Sequence, residues 1–272
     1  EELKLLLQDM LISVTNFFRN AAAFDALEHD VLPALLANRS PDESLRVWVA
    51  GCATGEEAYS VAILLKEQME LHHCTSELQI FATDIDDRAI NFGRNGLYPV
   101  SIATDVSPVR LKRFFTPEKE QFKVLKQIRE KVLFANHNVL RDPPFSRIDL
   151  ICCRNMLIYL DKPAQANVLA TFRFALKPQG FLFLGSSESV EAAHKLYTVI
   201  DKKNRLFKVN PNGSSTRHLL FSNEQFSKPP AFDPRGPDRR APKPVSFAEL
   251  HRSLIEQVVL PSVLIDGQHN IL

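Results

Sequence analysis

The run Arg46-Val-Trp-Val-Ala-Gly-Cys-Ala-Thr-Gly-Glu-Glu-Ala-Tyr-Ser60 holds the densest set of groups that could do chemistry. It begins as a buried strand (Val47, Trp48, Val49), breaks at Gly51 and Gly55, and continues as a helix from about Glu56 to Leu71. A strand that turns through glycines into a helix N-terminus lets backbone approach a nucleotide-like ligand. The turn lacks the Lys-Ser/Thr pair that follows the second glycine of a phosphate-binding loop, which argues against ATP or GTP. Glu56 and Glu57 open the helix instead. Acids suit a helix N-terminus but repel phosphate, so the expected ligand carries hydroxyls, an amine or positive charge. S-adenosylmethionine (SAM), a sulfonium joined to an amino acid and a ribose, meets that description.

Further candidates stand at the ends of other strands. Asp84 closes Leu78-Gln-Ile-Phe-Ala-Thr-Asp84, where dinucleotide folds keep the acid that binds a ribose diol. Its other reading is a solvated acid starting a turn. Asp86 is expected to cap the following helix. In Asn136-His-Asn-Val-Leu140, before Arg141-Asp-Pro-Pro-Phe145, a polar pair could bond an adenine edge or simply serve a turn. His137 is read as structural or exposed. Arg154, Asn155 and Tyr159 follow the buried strand Ile148 to Cys153, at the sheet edge where open α/β folds bind ligands. Tyr159 could hold a substrate by its hydroxyl or cover the core. Cys152 and Cys153 read as strand packing, and Cys52 as a small residue in a tight turn with no histidine partner to activate it.

Helices and strands must bring these residues together. Residues 3–12 read as a helix end, and Ala21 to Asn38 has apolar residues at helical spacing (Phe24, Leu27, Val31, Leu32, Leu35, Leu36). The helix after Asp86 should close near Gly93 or Gly96. Tyr98 to Leu133 has a different texture. It contains a short helix from Pro108 to Phe115 and candidate strands at Phe122-Lys-Val-Leu and Val132-Leu-Phe, and reads as an insertion at about 98–133. Alternation then resumes with Ile148 to Cys153, a helix from Lys162 to Leu176, a strand from Gly180 to Gly185, and a closing hairpin from Tyr197 to Val209. Such alternation predicts an α/β fold with a doubly wound, mostly parallel sheet and a small inserted β-subdomain. The expected organisation is the end of an N-terminal helical region at 1–40 and the main domain at 41–210. A Ser/Pro/Arg-rich linker at 211–245 and the start of another domain at 246–272 follow.

Composition narrows the function classes. At 272 residues, 45% hydrophobic and 24% charged, the chain can bury one good core. A net charge of +1 gives no general reason to expect nucleic acid or an acidic membrane surface. The four cysteines lack paired CxxC spacing, which argues for reduced thiols, a cytoplasmic setting and no metal site. No run approaches ~18 apolar residues, so no membrane insertion is expected. No signal peptide is visible, and the opening Glu1-Glu2-Leu3 reads as an internal start.

Five motifs then occur in order: Thr15-Asn-Phe-Phe-Arg19, Gly51-Cys-Ala-Thr-Gly-Glu-Glu-Ala-Tyr-Ser60, Ala82-Thr-Asp-Ile-Asp86, Cys153-Arg-Asn-Met-Leu-Ile-Tyr-Leu-Asp161 and Gly185-Ser-Ser-Glu188. Together they resemble the CheR family, the SAM-dependent methyltransferases that esterify glutamates on bacterial chemotaxis receptors. The similarity covers roughly residues 10–210, and the tail resembles the start of a PAS domain, as in CheB–CheR–PAS fusions. The resemblance implies the SAM-dependent methyltransferase fold, SAM as cofactor with S-adenosylhomocysteine as product, and the cytoplasmic domain of a chemotaxis receptor or similar signalling protein as partner. It implies a polar cluster near the cofactor at Ser13, Thr15 and Arg19, Ser13 standing where the family often has Asn. Glu57, or Glu56 beside it, would meet the methionine end of SAM next to Gly51, and Asp84 would meet the ribose. Asn138 and Val139 would flank the adenine, and Arg154 and Asn155 would complete the pocket. Arg19 and Tyr159 would sit nearest the transferred methyl group and place the substrate carboxylate. The insertion would be the family's β-subdomain, which in some members grips a peptide tether on the receptor. A reading from another class stays open: a SAM- or S-adenosylhomocysteine-binding regulatory scaffold that signals through the attached segment. Methylation of a small molecule or of another protein's glutamate is a third.

Overall fold

In a computed structural model of the chain, the described residues are 15–37, 39–40 and 43–213. Ser13, the segment 246–272 and all but the first three residues of the expected linker lie outside them. The chain opens with α1 (Ala21–Ala26), a π-helical turn (Leu27–Val31) and α2 (Leu32–Leu36). There follow β1 (Leu45–Ala50), α3 (Glu56–Leu71), β2 (Leu78–Asp84), α4 (Asp87–Asn95), β3 (Leu97–Pro99), α5 (Pro108–Phe114), β4 (Phe115–Glu118), β5 (Gln121–Val124), α6 (Lys126–Arg129) and β6 (Val132–Asn136). The last elements are β7 (Ile148–Cys153), α7 (Lys162–Ala175), β8 (Leu176–Leu184), β9 (Tyr197–Asp201) and β10 (Leu206–Val209).

Seven strands form one sheet in the order β6-β2-β1-β7-β8-β10-β9. The first five are mutually parallel, and β10 runs antiparallel to both β8 and β9. From β1 the chain winds outward through β2 to β6, then returns to β7 on the other side, so the order reverses between β1 and β7. That reversal leaves a crevice at the carboxyl ends of the central strands. The expected doubly wound, mostly parallel α/β sheet is the one observed.

The strand pattern explains the layering. Val47 and Val49 face one side of β1 with α1, α2 and α3, whereas Trp48 and Ala50 face the other with α7. Both faces of a central parallel strand are covered, so β1 is apolar from Val47 to Ala50 rather than alternating. Trp48 is fully buried and satisfies its indole N–H on Thr83 Oγ1 at 2.8 Å. At the amino edge, Asp149 accepts from Arg39 (2.6 Å), Lys177 (2.8 Å) and the Arg46 backbone N–H (2.8 Å). One carboxylate thereby ties the segment before β1 to β7 and β8.

Helix ends follow local sequence. Asp86 caps α4, its carboxylate accepting from Arg88 N–H at 2.8 Å, and Gly96 (φ 62°) closes that helix in the left-handed region. Ser107 and Asp161 cap α5 and α7 in the same way, each before a proline in the first turn.

The insertion differs from expectation in three strands. Val132–Asn136 is the edge strand β6 of the main sheet, with Ile80 opposite Val132 and Asp84 opposite Asn136. The separate antiparallel sheet is β3-β5-β4, whose short strands Leu97–Pro99 and Phe115–Glu118 carry too little period-two pattern to be read from sequence. β4 and β5 join through a two-residue turn in which Lys119 adopts φ 56°.

Candidate active site

Register brings the candidate residues to one edge. Ala50 lies opposite Thr83, Asp84 opposite Asn136, Val49 opposite Cys152, and Cys153 opposite Leu184. The residues that follow, Gly51, Ile85, Arg154 and Gly185, therefore emerge side by side around the β1–β7 switch.

The turn after β1 is a rigid cradle. Gly51 (φ 72°), Ala53 (φ 46°) and Gly55 (φ 94°) all take left-handed backbone. Gly51 and Cys52 donate N–H to the Thr83 carbonyl at 2.8 and 2.9 Å. A side chain at Gly51 would also meet Met156 Cβ at 3.0 Å, and one at Gly55 would meet the Phe134 ring at 2.9 Å. Glycine is required by backbone angle and by these neighbours at once.

Asp84 acts inside the protein as well as at its surface. Its Oδ2 accepts from the Ala53 N–H at 2.8 Å and its Oδ1 from the Asp86 N–H at 3.0 Å. The acid starts the turn into α4, as one of its two expected readings has it, and also clamps the glycine turn. Ile85, half exposed beside it, adds an apolar surface to the same edge.

Glu56 and Glu57 diverge. Glu56 is buried, accepts the Thr54 hydroxyl at 2.6 Å, and burial raises its carboxyl above the ordinary range. Glu57 points to the β7 side, with Arg154 Nη1 3.4 Å from its Oε2. Burial pushes Glu57 up to about 7 despite the favourable charges of Arg154 and Arg19, and Glu188 adds to the rise.

Arg154 is the hub. Its side chain is 2% exposed, lies against the Phe183 ring (4.6 Å) and the Phe24 ring (5.2 Å), and donates from Nη2 to the Arg19 backbone carbonyl at 2.8 Å. Its Nε is buried with no hydrogen-bond partner. The segment carrying Arg19 is held a second way, since Phe18 N–H donates to Ser60 Oγ at 2.9 Å and Ser60 in turn donates to the Glu56 carbonyl at 2.7 Å. Phe18 and Asn20, on either side of Arg19, have φ 47° and 65°, so the chain turns sharply and leaves Arg19 exposed. Thr15 is half-buried at the start of the described segment.

The loop after β7 carries Asn155 (φ 64°) and Tyr159, whose ring is 62% exposed and open to a partner rather than covering the core. Asn138 performs turn chemistry, its side-chain oxygen accepting from Leu140 N–H at 3.0 Å, while Val139 packs partly buried against the Trp48 cluster. His137 is structural: its backbone N–H donates to the Asp84 carbonyl at 3.0 Å and its ring meets Trp48 edge-on at 5.4 Å. Cys52, Cys152 and Cys153 are buried free thiols raised well above their ordinary range, chiefly by desolvation, and are poor nucleophiles. Cavities of about 370 and 380 Å³ lie beside β3 and β5 and along the β2–β6 edge. Their linings include none of the residues named from sequence as the site.

Sequence reasoning gave no role to Glu188, Met156, Tyr98 or Ser60. Tyr98 is buried in the insert and donates its hydroxyl to the Thr54 carbonyl at 2.8 Å, bracing the glycine turn from outside the main sheet. Tyr98, Ser60 and Glu188 each bond a backbone group distant in sequence, which no motif spacing reveals. Among the described residues there is no cluster of three or more His, Cys, Asp or Glu able to hold a metal, and no helix long and apolar enough to cross a membrane.

The residues fit SAM by their chemistry. A buried carboxylate beside Arg154, its carboxyl pushed up to about 7, gains from a cationic amine or sulfonium nearby, and a strand-end carboxylate suits a diol. A sheet wound both ways from β1, closed by an antiparallel strand and carrying a glycine turn above it, is the fold of a SAM-dependent methyltransferase. The chain belongs to the CheR methyltransferase family, whose SAM binding domain matches residues 13–206. It is 34% identical over 187 residues to a chemotaxis protein methyltransferase of Borreliella burgdorferi, covering 67% of this chain and 66% of that protein. Over 213 residues it is 34% identical to the putative methyltransferase Cher3 of Pseudomonas putida, covering 75% of each. Over 274 residues it is 35% identical to an uncharacterized 104.1 kDa protein in the hypE 3' region of Rhodobacter capsulatus. That match takes in 100% of this chain, which spans only 28% of the Rhodobacter relative's length.

Proposed function

We propose that this chain transfers a methyl group from SAM to glutamate carboxylates in the cytoplasmic domain of a chemotaxis receptor or similar signalling protein, forming glutamate methyl esters. The reaction then takes place in the cytoplasm. The observation that carries this reading is the Arg154 hub, which joins the Arg19 segment, Glu57 and the β7 loop at the switch point of a CheR-family domain. The name of the Borreliella relative, a chemotaxis protein methyltransferase, supports the substrate class.

When bound, SAM supplies a sulfonium-activated methyl group and a neutral thioether leaving group. The protein's work is placement. Asp84 holds the ribose while clamping the glycine turn, and Glu57, with Glu56 and Gly51 beside it, receives the charged amino-acid end. Asn138 and Val139 flank the adenine, Thr15 borders the cofactor, and Arg154 and Asn155 close the pocket. A glutamate acceptor, with an ordinary pKa of ~4.3, is already ionised at neutral pH, so no general base is required. Arg19 orients that carboxylate, and the exposed Tyr159 hydroxyl offers a gentler hydrogen bond that leaves the attacking oxygen nucleophilic. Alignment and exclusion of water supply the rate enhancement.

Calorimetry with SAM, followed by base-labile methyl label on receptor cytoplasmic fragments, tests the reading. SAM binding with no label on any fragment would replace the enzyme with a binding scaffold. Absence of SAM binding would remove both.

A further inference from the structure

Glu188 accepts three backbone hydrogen bonds at this edge. It is 3% exposed and lies in the loop after β8. Its Oε2 accepts from Gly185 N–H at 2.7 Å and Asn155 N–H at 3.0 Å, and its Oε1 accepts from Leu157 N–H at 2.6 Å. A side chain at Gly185 would stand 2.7 Å from Oε2, so the glycine is needed for the carboxylate to reach. Asn155 sits at φ 64°, in the left-handed region that asparagine enters more readily than most non-glycine residues.

These bonds fall on the segment that bears the chemistry. Between Arg154, fixed by its own side chain, and α7, capped by Asp161, the loop runs Asn155 to Leu160 and carries Tyr159. Gln165 secures the far side, donating to the Leu157 and Leu160 carbonyls at 3.1 and 3.0 Å. Glu188 secures the near side through the amides. Tyr159 itself is exposed, so its position depends on the backbone beneath it rather than on packing of its ring.

We propose that Glu188 is a positioning residue: its carboxylate fixes the Asn155–Leu157 backbone and thereby aims Tyr159 at the acceptor, a role that rests on the methyl-transfer reading above. Only an ionised carboxylate offers acceptors to all three amides. Glu188→Gln turns one oxygen into a donor that faces an N–H, and no rotation of the amide repairs both sides.

Two measurements decide it. Amide hydrogen exchange on the protein without cofactor should show either Leu157, or Asn155 together with Gly185, exchanging about tenfold faster in Glu188→Gln, according to which side the new NH2 group faces, with β1 and α3 unchanged. Methyl transfer to a receptor fragment is then compared in a double-mutant cycle with Tyr159→Phe. If Glu188 acts through Tyr159, Glu188→Gln lowers kcat about tenfold alone but less than about threefold when Tyr159→Phe is already present. Additive losses, or unchanged exchange at Asn155 and Leu157, overturn the inference. A parent protein that binds SAM but transfers nothing sinks the functional reading instead, and the exchange result still judges Glu188 by itself. If Glu188→Gln does not fold, Glu188→Asp, which keeps the charge but shortens the reach, takes its place in both measurements.

Discussion

Arg154 donates a hydrogen bond from Nη2 to the backbone carbonyl of Arg19 at 2.8 Å, joining residues 135 positions apart in the chain. The same guanidinium faces Glu57 from its other nitrogen. Two parts of the candidate site, the N-terminal segment and the first turn of α3, are thereby held by one buried cation. Arg154→Met would leave Glu57 buried without its main partner. We expect a loss of about 3 kcal/mol in urea unfolding, near the low end for a broken buried pair because Glu57 can take up a proton instead. SAM affinity should fall in the same variant, as read by calorimetry.

Glu57 gives the protein a pH dependence of defined sign. The folded protein keeps this proton up to about pH 7, whereas the unfolded chain releases it in the ordinary carboxylate range. The unfolded state therefore binds fewer protons between those values, and stability falls as pH rises through about 4.5 to 7, then levels off. Glu57→Gln should flatten that slope in thermal melts. Binding of cationic SAM favours the ionised carboxylate, so affinity should rise about tenfold from pH 6 to 8, and the same variant should remove that dependence. A pH-independent affinity in the parent protein would separate Glu57 from the cofactor.

Asp84 should show two losses in one substitution. In Asp84→Asn the new amide group faces either the Ala53 or the Asp86 N–H, each of which now donates to a carboxylate oxygen. A cost of about 1–2 kcal/mol in stability is expected. SAM affinity should drop by more than that free energy, because the glycine turn and the ribose contact fail together. Equal losses in melting and calorimetry would assign Asp84 to the turn alone.

Tyr159→Phe should leave the fold and SAM affinity intact, since the hydroxyl of this exposed ring supports no element. Turnover on receptor fragments should fall about tenfold, the value of one hydrogen bond made to the reacting carboxylate. Unchanged turnover would take Tyr159 out of the reaction.

Gly55→Ala tests the cradle. At φ 94° a methyl group is strained whatever the space, and here it would press on the Phe134 ring at 2.9 Å. Destabilisation of about 2 kcal/mol or more is expected in thermal or urea unfolding, with weaker SAM binding alongside.

Local sequence settled the α/β alternation, the glycine turn, the cap at Asp86, and the strand ends at Asp84 and Cys153. Each is a local pattern: apolar period, backbone angle or a side chain bonding its own helix start. The ordered motifs also carried the family. Tertiary structure decided the rest, because the deciding contacts join groups far apart in the chain. Val132–Asn136 became an edge strand of the main sheet by pairing with β2, which its own short apolar run could not announce. Asp84 became a clamp, Arg154 a hub and Glu188 a loop anchor through backbone amides and carbonyls, groups that every residue possesses and no sequence marks. The divergence of Glu56 and Glu57 was likewise settled by their surroundings. One meets Thr54 in its own turn, and the other meets an arginine that only the crossover to β7 delivers.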